Sequence, residues 1–297
     1  MAVPIHSGYE ASISPVRRLA RTQIMITPNR IGIMLGDIML DTEYPLTASS
    51  SAASFSAVEN PRRDDYFFSG MALFILASVF FGFARTYFFA GLWKAPLPNR
   101  LIHVHAIVFS SWIVLFIVQI ALVSTKRVRW HRTPGVLGAA LAMAVVTLGI
   151  LAATDSLSRG FSPPGSGIDP RTFYAIPLLQ VVVFAGLIIA AFRFRFSPAA
   201  HKRLMLIATI SLLGPAINRW PLALIQKVPV LTSAILLGFI LMLAAYDFWT
   251  LGKVHRATLR AGLTVVISQL LLFPIGRTAL WHSFADRATK IWIAHNF

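Results

Sequence analysis

The chain has 297 residues, 56% hydrophobic and only 13% charged, with a mean hydropathy of +0.69, which is the composition of a membrane protein rather than of a soluble domain. Cysteine is absent, which excludes disulfides, thiolate metal sites and cysteine nucleophiles. The formal charge is +16, but the basic residues fall between apolar runs instead of on one soluble face, so they read as topology signals and not as a nucleic-acid surface.

Residues 1–65 are polar, mixed in charge and rich in Ser, Ala and Pro, as in "LTASSSAASFSAVENPRRDD". This composition predicts disorder, and no continuous apolar core followed by a small-residue cleavage site marks a signal peptide. Met25, Met34 and Met39 leave a downstream start open.

A bilayer core of about 30 Å needs about 20 apolar residues of helix. Seven stretches qualify, at roughly 66–92, 100–124, 134–154, 171–192, 203–222, 229–250 and 261–282. "KAPLPNR", "RTPG" and "SPPGSGIDP" between them carry the punctuation of helix ends. The predicted fold is an all-α bundle of seven transmembrane helices over 66–285, with a short tail at 286–297.

Basic residues orient the bundle. The second, fourth and sixth connections hold eleven, namely Lys126, Arg127, Arg129, Arg132, Arg193, Arg195, Lys202, Arg203, Lys253, Arg256 and Arg260. The other three hold six: Lys94, Arg100, Arg159, Arg171, Arg219 and Lys227. The richer set belongs inside, which predicts a cytoplasmic N-terminus and an external C-terminus. Anionic lipid complements these inner loops, where His131, His201 and His255 also fall.

Carboxylates are scarce. From Tyr66 onward only Asp155, Asp169, Asp247 and Asp286 remain, which removes the raw material for paired-carboxylate hydrolysis, carboxylate metal sites and a carboxylate proton relay. Asp247, alone in its apolar run, is expected to pair with Lys253 or Arg203. No HExxH pattern is present.

The outer ends of the predicted helices carry the candidate site. His103 and His105 are about 200° apart around a helix and cannot easily share a face. His105 continues through Phe109, Trp112, Phe116 and Gln119 in one stripe expected to face the bundle. Arg85 in "FGFARTYFF" and Arg277 in "FPIGRTALW" stand inside apolar runs at the depth of His103, His105 and His282. "LLGPAINRWP" brings Asn218 and Arg219 to the same level. Either Arg85 and Arg277 snorkel to lipid phosphate, or they line a basic pocket with Arg85, His105 and Arg277 at its centre and His103 and His282 at its rim. That pocket fits a small anionic or propionate-bearing ligand. In the haem version His103 or, in the favoured form, His105 is an axial ligand together with His282, and the arginines meet the propionates. Without a cofactor, the pocket belongs to a transporter or sensor for an anionic or amphiphilic molecule. A membrane assembly factor is the third reading.

At "FARTY", "LIHVHAIVFSSWIVLFIVQ", "HRTPGVLGAALAMAVVTLGILAA", "SPAAHKRLMLIATISLLGPAI" and "LAAYDFWTLGKVHRATL", the chain resembles a functionally uncharacterised family of bacterial multi-pass membrane proteins. The resemblance covers about residues 66–285. It implies the bacterial inner membrane as location and brings no activity, substrate or cofactor.

Overall fold

A computed structural model describes residues 61–92, 99–163 and 166–296, together with three strands between residues 23 and 40. The chain divides into two units, Met1–Phe55 and Ser56–Phe297. In the first, β1 (Gln23–Thr27), β2 (Arg30–Leu35) and β3 (Ile38–Leu40) form an antiparallel meander in which Ile24 faces Ile33 and Ile26 faces Ile31. These strands lie inside the segment whose composition predicts disorder; the other residues of 1–60 lie outside the described residues.

The second unit is helical throughout its described residues. Its elements are α1 (Pro61–Phe83), α2 (Arg100–Ser124), α3 (Val128–Ser158), α4 (Pro170–Arg193), α5 (Pro198–Ser211), α6 (Gly214–Ile217), α7 (Ala223–Lys227), α8 (Pro229–Leu251), α9 (Arg256–Gly276) and α10 (Ala279–Asn296). Among the described residues six segments are long and apolar enough to cross a membrane: Arg62–Phe88, Arg100–Ser124, Val128–Ser158, Pro170–Arg193, Val230–Leu251 and Arg256–Gly276.

Local chemistry sets the ends. Asn99 caps α2 by accepting from the Ile102 N–H at 2.9 Å, and Asp169 caps α4 by accepting from the Arg171 N–H at 2.9 Å, each satisfying a donor that the first helical turn leaves open. Proline occupies the first position of α4, α5 and α8, where its missing N–H costs nothing. Gly252 closes α8 at φ +67°, the left-handed conformation that favours glycine.

Three boundaries depart from the sequence reading. First, α1 starts at Pro61, upstream of the expected limit at 66, and continues as a π-helical turn over Ala84–Phe88. The second departure is in the predicted fifth span, which ends as an α-helix at Ser211 and resumes as the short α6. Gly214 and Pro215 explain this, since proline cannot donate to the helical ladder. Finally, the predicted seventh span stops at Gly276, two residues past Pro274, and the chain turns at Arg277 into α10. His282 therefore sits on α10, and α10 occupies most of the residues read as a tail.

The broken element is central. In α5 and α6, Leu206, Ile207, Ala208, Ile210 and Ile217 are fully buried, with α1, α4, α8 and α9 around them. Gly82 lets α1 approach closely: a Cβ there would fall 2.2 Å from the Ala216 carbonyl oxygen. By contrast α2 packs mainly on α1 and α3, and α10 lies on α3 and α4.

Candidate functional site

One end of the bundle, where α1 begins and α8 ends, is held by ion pairs. Asp247 and Arg203 are fully buried and meet at 2.7 and 2.8 Å through two guanidinium nitrogens. The other Asp247 oxygen accepts from the His255 N–H at 3.1 Å and from the Thr258 hydroxyl at 2.5 Å. Arg203 is thus the partner that Asp247 takes. Beside it, Asp64 bonds both Lys202 and the Tyr246 hydroxyl, and Tyr246 stacks on Phe67 with ring centroids 3.8 Å apart. Asp65 pairs with Lys126 at 3.1 Å. Two adjacent residues of α5 therefore grip two different helices. Assigning Asp64 to a disordered extension hid half of this clasp from the sequence reading; the proline-led, acid-bearing first turn "PRRDD" was the available signal.

The α2 stripe faces inward as predicted. His105 directs Nδ1 at the Leu148 carbonyl of α3, 3.4 Å away, and stacks on Phe109 at 4.1 Å. A carbonyl only accepts, so Nδ1 carries the proton. Trp112 is buried, packs edge-on against Phe184 and donates Nε1–H to Thr209 of α5 at 3.4 Å. Oriented by its hydrogen-bonding neighbours, the Gln119 amide donates to His131 Nδ1 and to the His131 carbonyl at 3.1 Å, and accepts from the Gly135 N–H at 3.2 Å. These three polar groups, seven residues apart, tie α2 to α3, α5 and α3 again.

The opposite end separates the other predicted site residues. His103 turns to α1, where its Nδ1 lies 3.1 Å from the Tyr87 hydroxyl, and Arg85 is exposed on the π-helical turn. Arg277 is exposed with its guanidinium 5.6 Å from the Phe273 ring centroid. His282 bonds Thr172 of α4: the threonine hydroxyl donates to the Gly276 carbonyl at 3.0 Å, so His282 Nε2 donates to that hydroxyl at 3.2 Å. Arg85, His105 and Arg277 thus attach to three different surroundings. The imidazoles of His105 and His282 are turned to different helices and Nε2 of His282 is engaged, so they do not fit haem as a facing axial pair. Among the described residues no group of three or more His, Asp or Glu side chains could hold a metal ion.

The further cation of this end is Arg219, which follows α6 and is half-buried. Its guanidinium donates to the Pro215 carbonyl at 2.9 Å and sits 5.0 Å from the ring centroid of Phe83, a residue of the long apolar segment Arg62–Phe88. The neighbouring Trp220 anchors the turn by donating to the Ser78 carbonyl at 3.1 Å. Among the described residues Arg219 has no carboxylate partner. The signal in sequence was the break at Gly214–Pro215, which pulls the following arginine into the bundle.

Six long apolar helices packed side by side, with buried ion pairs and interhelical hydrogen bonds, define a multi-pass helical membrane protein. No protein-family model, curated protein or solved structure matches the chain.

Proposed function

We propose that the chain is a bacterial inner-membrane protein of the multi-pass family it resembles, with seven crossings. The broken α5–α6 stretch is the fifth, the N-terminus is cytoplasmic and the C-terminus external. In this reading the protein binds an anionic or amphiphilic small molecule within its outer half, as a transporter or sensor.

The observation that carries the reading is Arg219. An arginine at membrane depth costs at least about 2.5–3.5 kcal/mol on insertion scales, and a π face with one carbonyl does not neutralise it. An oxyanion would do so, with the Phe83 ring as an apolar neighbour. The break beneath it supports the same reading, because irregular backbone at membrane depth is tolerated where it is buried in protein or lines a cavity, and discontinuous helices build the binding sites of many transporters.

The test is thermal unfolding of the detergent-solubilised protein with inorganic phosphate, an alkyl carboxylate and an alkyl phosphate. At least one anion should raise the melting temperature of the parent; Arg219→Lys should keep part of the shift and Arg219→Gln should lose it. The absence of any shift in the parent, or an equal shift in Arg219→Gln, overturns the reading.

A further inference from the structure

The corner between α9 and α10 forms an open cleft of about 430 Å³ lined by Ile275, Thr278, Leu280, Trp281, Phe284 and Arg287. Its walls are apolar, and two of them are unusually exposed: Leu280 at 83% and Phe284 at 48%. Trp281 is the fixed wall, because its Nε1–H donates to the Arg171 carbonyl at 2.7 Å and its ring packs against Tyr174 and Phe284. Thr278 and Ser283 donate their hydroxyl protons to the Ile275 and Ala279 carbonyls, both within the corner, at 2.8 and 2.9 Å, and the Thr278 oxygen accepts from the Trp281 N–H at 3.2 Å. The nearest carboxylate in sequence, Asp286, pairs with Arg171 at 3.6 Å. Among the described residues neither Arg287 in the cleft nor Arg277 beside it has an acidic partner.

We infer that this corner is a binding site for one anionic phospholipid of the adjoining leaflet, its phosphate against Arg287 and an acyl chain along Ile275, Leu280 and Phe284. The position fits: α9 crosses the membrane and ends at Gly276, so a cleft immediately beyond it lies at the boundary between acyl chains and headgroups. The chemistry fits as well, since exposed aromatic and aliphatic walls need an apolar cover and an interfacial helix with basic residues draws anionic lipid. This site is independent of Arg219.

The test reconstitutes the full chain into vesicles of phosphatidylglycerol or phosphatidylcholine with brominated acyl chains, which quench tryptophan on contact. The Trp281 component is the parent signal minus that of Trp281→Phe. Should that variant fail to fold, Leu280→Trp supplies a reporter in its place. Quenching should favour phosphatidylglycerol by about five-fold, the effect of one interfacial arginine. The preference should vanish in Arg287→Gln and persist in Arg100→Gln, a charge on the same end away from the corner. Equal quenching by both lipids overturns the assignment, as does a preference that survives Arg287→Gln. If inorganic phosphate at constant ionic strength abolishes the preference, the corner takes free phosphate and the lipid assignment falls.

Discussion

Replacing Asp247 by alanine tests how the bundle closes at the end where α5, α8 and α9 meet. Three hydrogen bonds reach this carboxylate, from the Arg203 Nε–H, the His255 N–H and the Thr258 hydroxyl, and a second Arg203 nitrogen completes the ion pair at 2.7 Å. At about 0.6 kcal/mol each, the average for polar contacts inside a membrane protein, loss of the three bonds costs about 1.8 kcal/mol. That is a lower bound, because both side chains of the ion pair are fully buried and the variant leaves a guanidinium without its counter-charge. Removing one partner of a buried pair costs about 3–5 kcal/mol. The expectation for Asp247→Ala is therefore about 3–5 kcal/mol, with Asp247→Asn intermediate because an amide oxygen still accepts from His255 and Thr258. Arg203→Met combined with Asp247→Leu should return most of the loss, since an apolar pair removes the desolvation cost of both charges. Reversible denaturant unfolding in mixed micelles measures all four proteins. An Asp247→Ala variant within about 1 kcal/mol of the parent, or a double variant no better than the single one, refutes the argument that a dry ion pair holds this end.

Gly82→Ala should destabilise more than Gly214→Ala, because a Cβ at 82 meets the Ala216 backbone at 2.2 Å whereas one at 214 meets the end of the Gln180 side chain at 2.3 Å; only the second should be rescued by Gln180→Ala in the same unfolding assay. Reporter fusions after residues 128 and 198 should both read as cytoplasmic, and an external signal from either reverses the proposed orientation. A chain starting at Val58 retains every helix of the second unit and should insert and stay monodisperse in detergent; failure to insert would make the preceding segment structural. The Arg171 side chain bonded to Asp169 holds that carboxyl below its usual range. A depressed folded pKa stabilises above the unfolded value and loses its effect as pH falls through the folded one. Asp169→Ala should thus cost the lower part of about 0.5–2 kcal/mol for a lost cap, and the gap to the parent should close on acidification below the carboxylate range; a gap independent of pH refutes the role of the charge.

The helices were legible where apolar length alone decides, and the ends were legible where a cap or proline marks them, as at Asn99, Asp169 and Pro229. The inward stripe from His105 through Trp112 to Gln119 was readable because seven residues make nearly two helical turns. Its partners were not, since Leu148, Thr209 and His131 are chosen by how helices pack rather than by any local pattern. The π-helical turn at Ala84–Phe88 carries no proline or glycine to announce it. In the sequence reading Arg85 and Arg277 share a depth, but depth fixes only one coordinate, and the elements bearing them have different neighbours. Gly214–Pro215 was visible as a break, yet its consequence, that Arg219 is held against the Phe83 ring, depends on α5 and α6 being the central element.

The distribution of carboxylates explains why the two ends differ. At the clasp end Asp64, Asp65 and Asp247 reach Lys202, Lys126 and Arg203, linking α1 to α5, the turn after α2 to α1, and α5 to α8. At the other end Asp155 holds Arg159 and accepts from Asn99, while Asp169 and Asp286 both reach Arg171. Every carboxylate of the described helices and their caps is therefore engaged, and those of the second end bind cations in connections or at helix ends. None is left for Arg219 inside the bundle or for Arg287 at its corner. A cation at membrane depth without a protein counter-charge needs water, lipid phosphate or a ligand, and these two arginines differ in which they can reach. Arg287 opens onto the leaflet boundary and suits a lipid, whereas Arg219, against the Phe83 ring, suits a molecule that enters the bundle. Exchanging the two environments by placing a carboxylate beside each arginine separates them: Phe83→Glu, at the ring 5.0 Å from the Arg219 guanidinium, should abolish anion stabilisation without altering lipid preference, and Ser283→Asp should do the reverse. Loss of both responses in either variant would mean that one pool of bound lipid, and not two sites, accounts for the charge of this end.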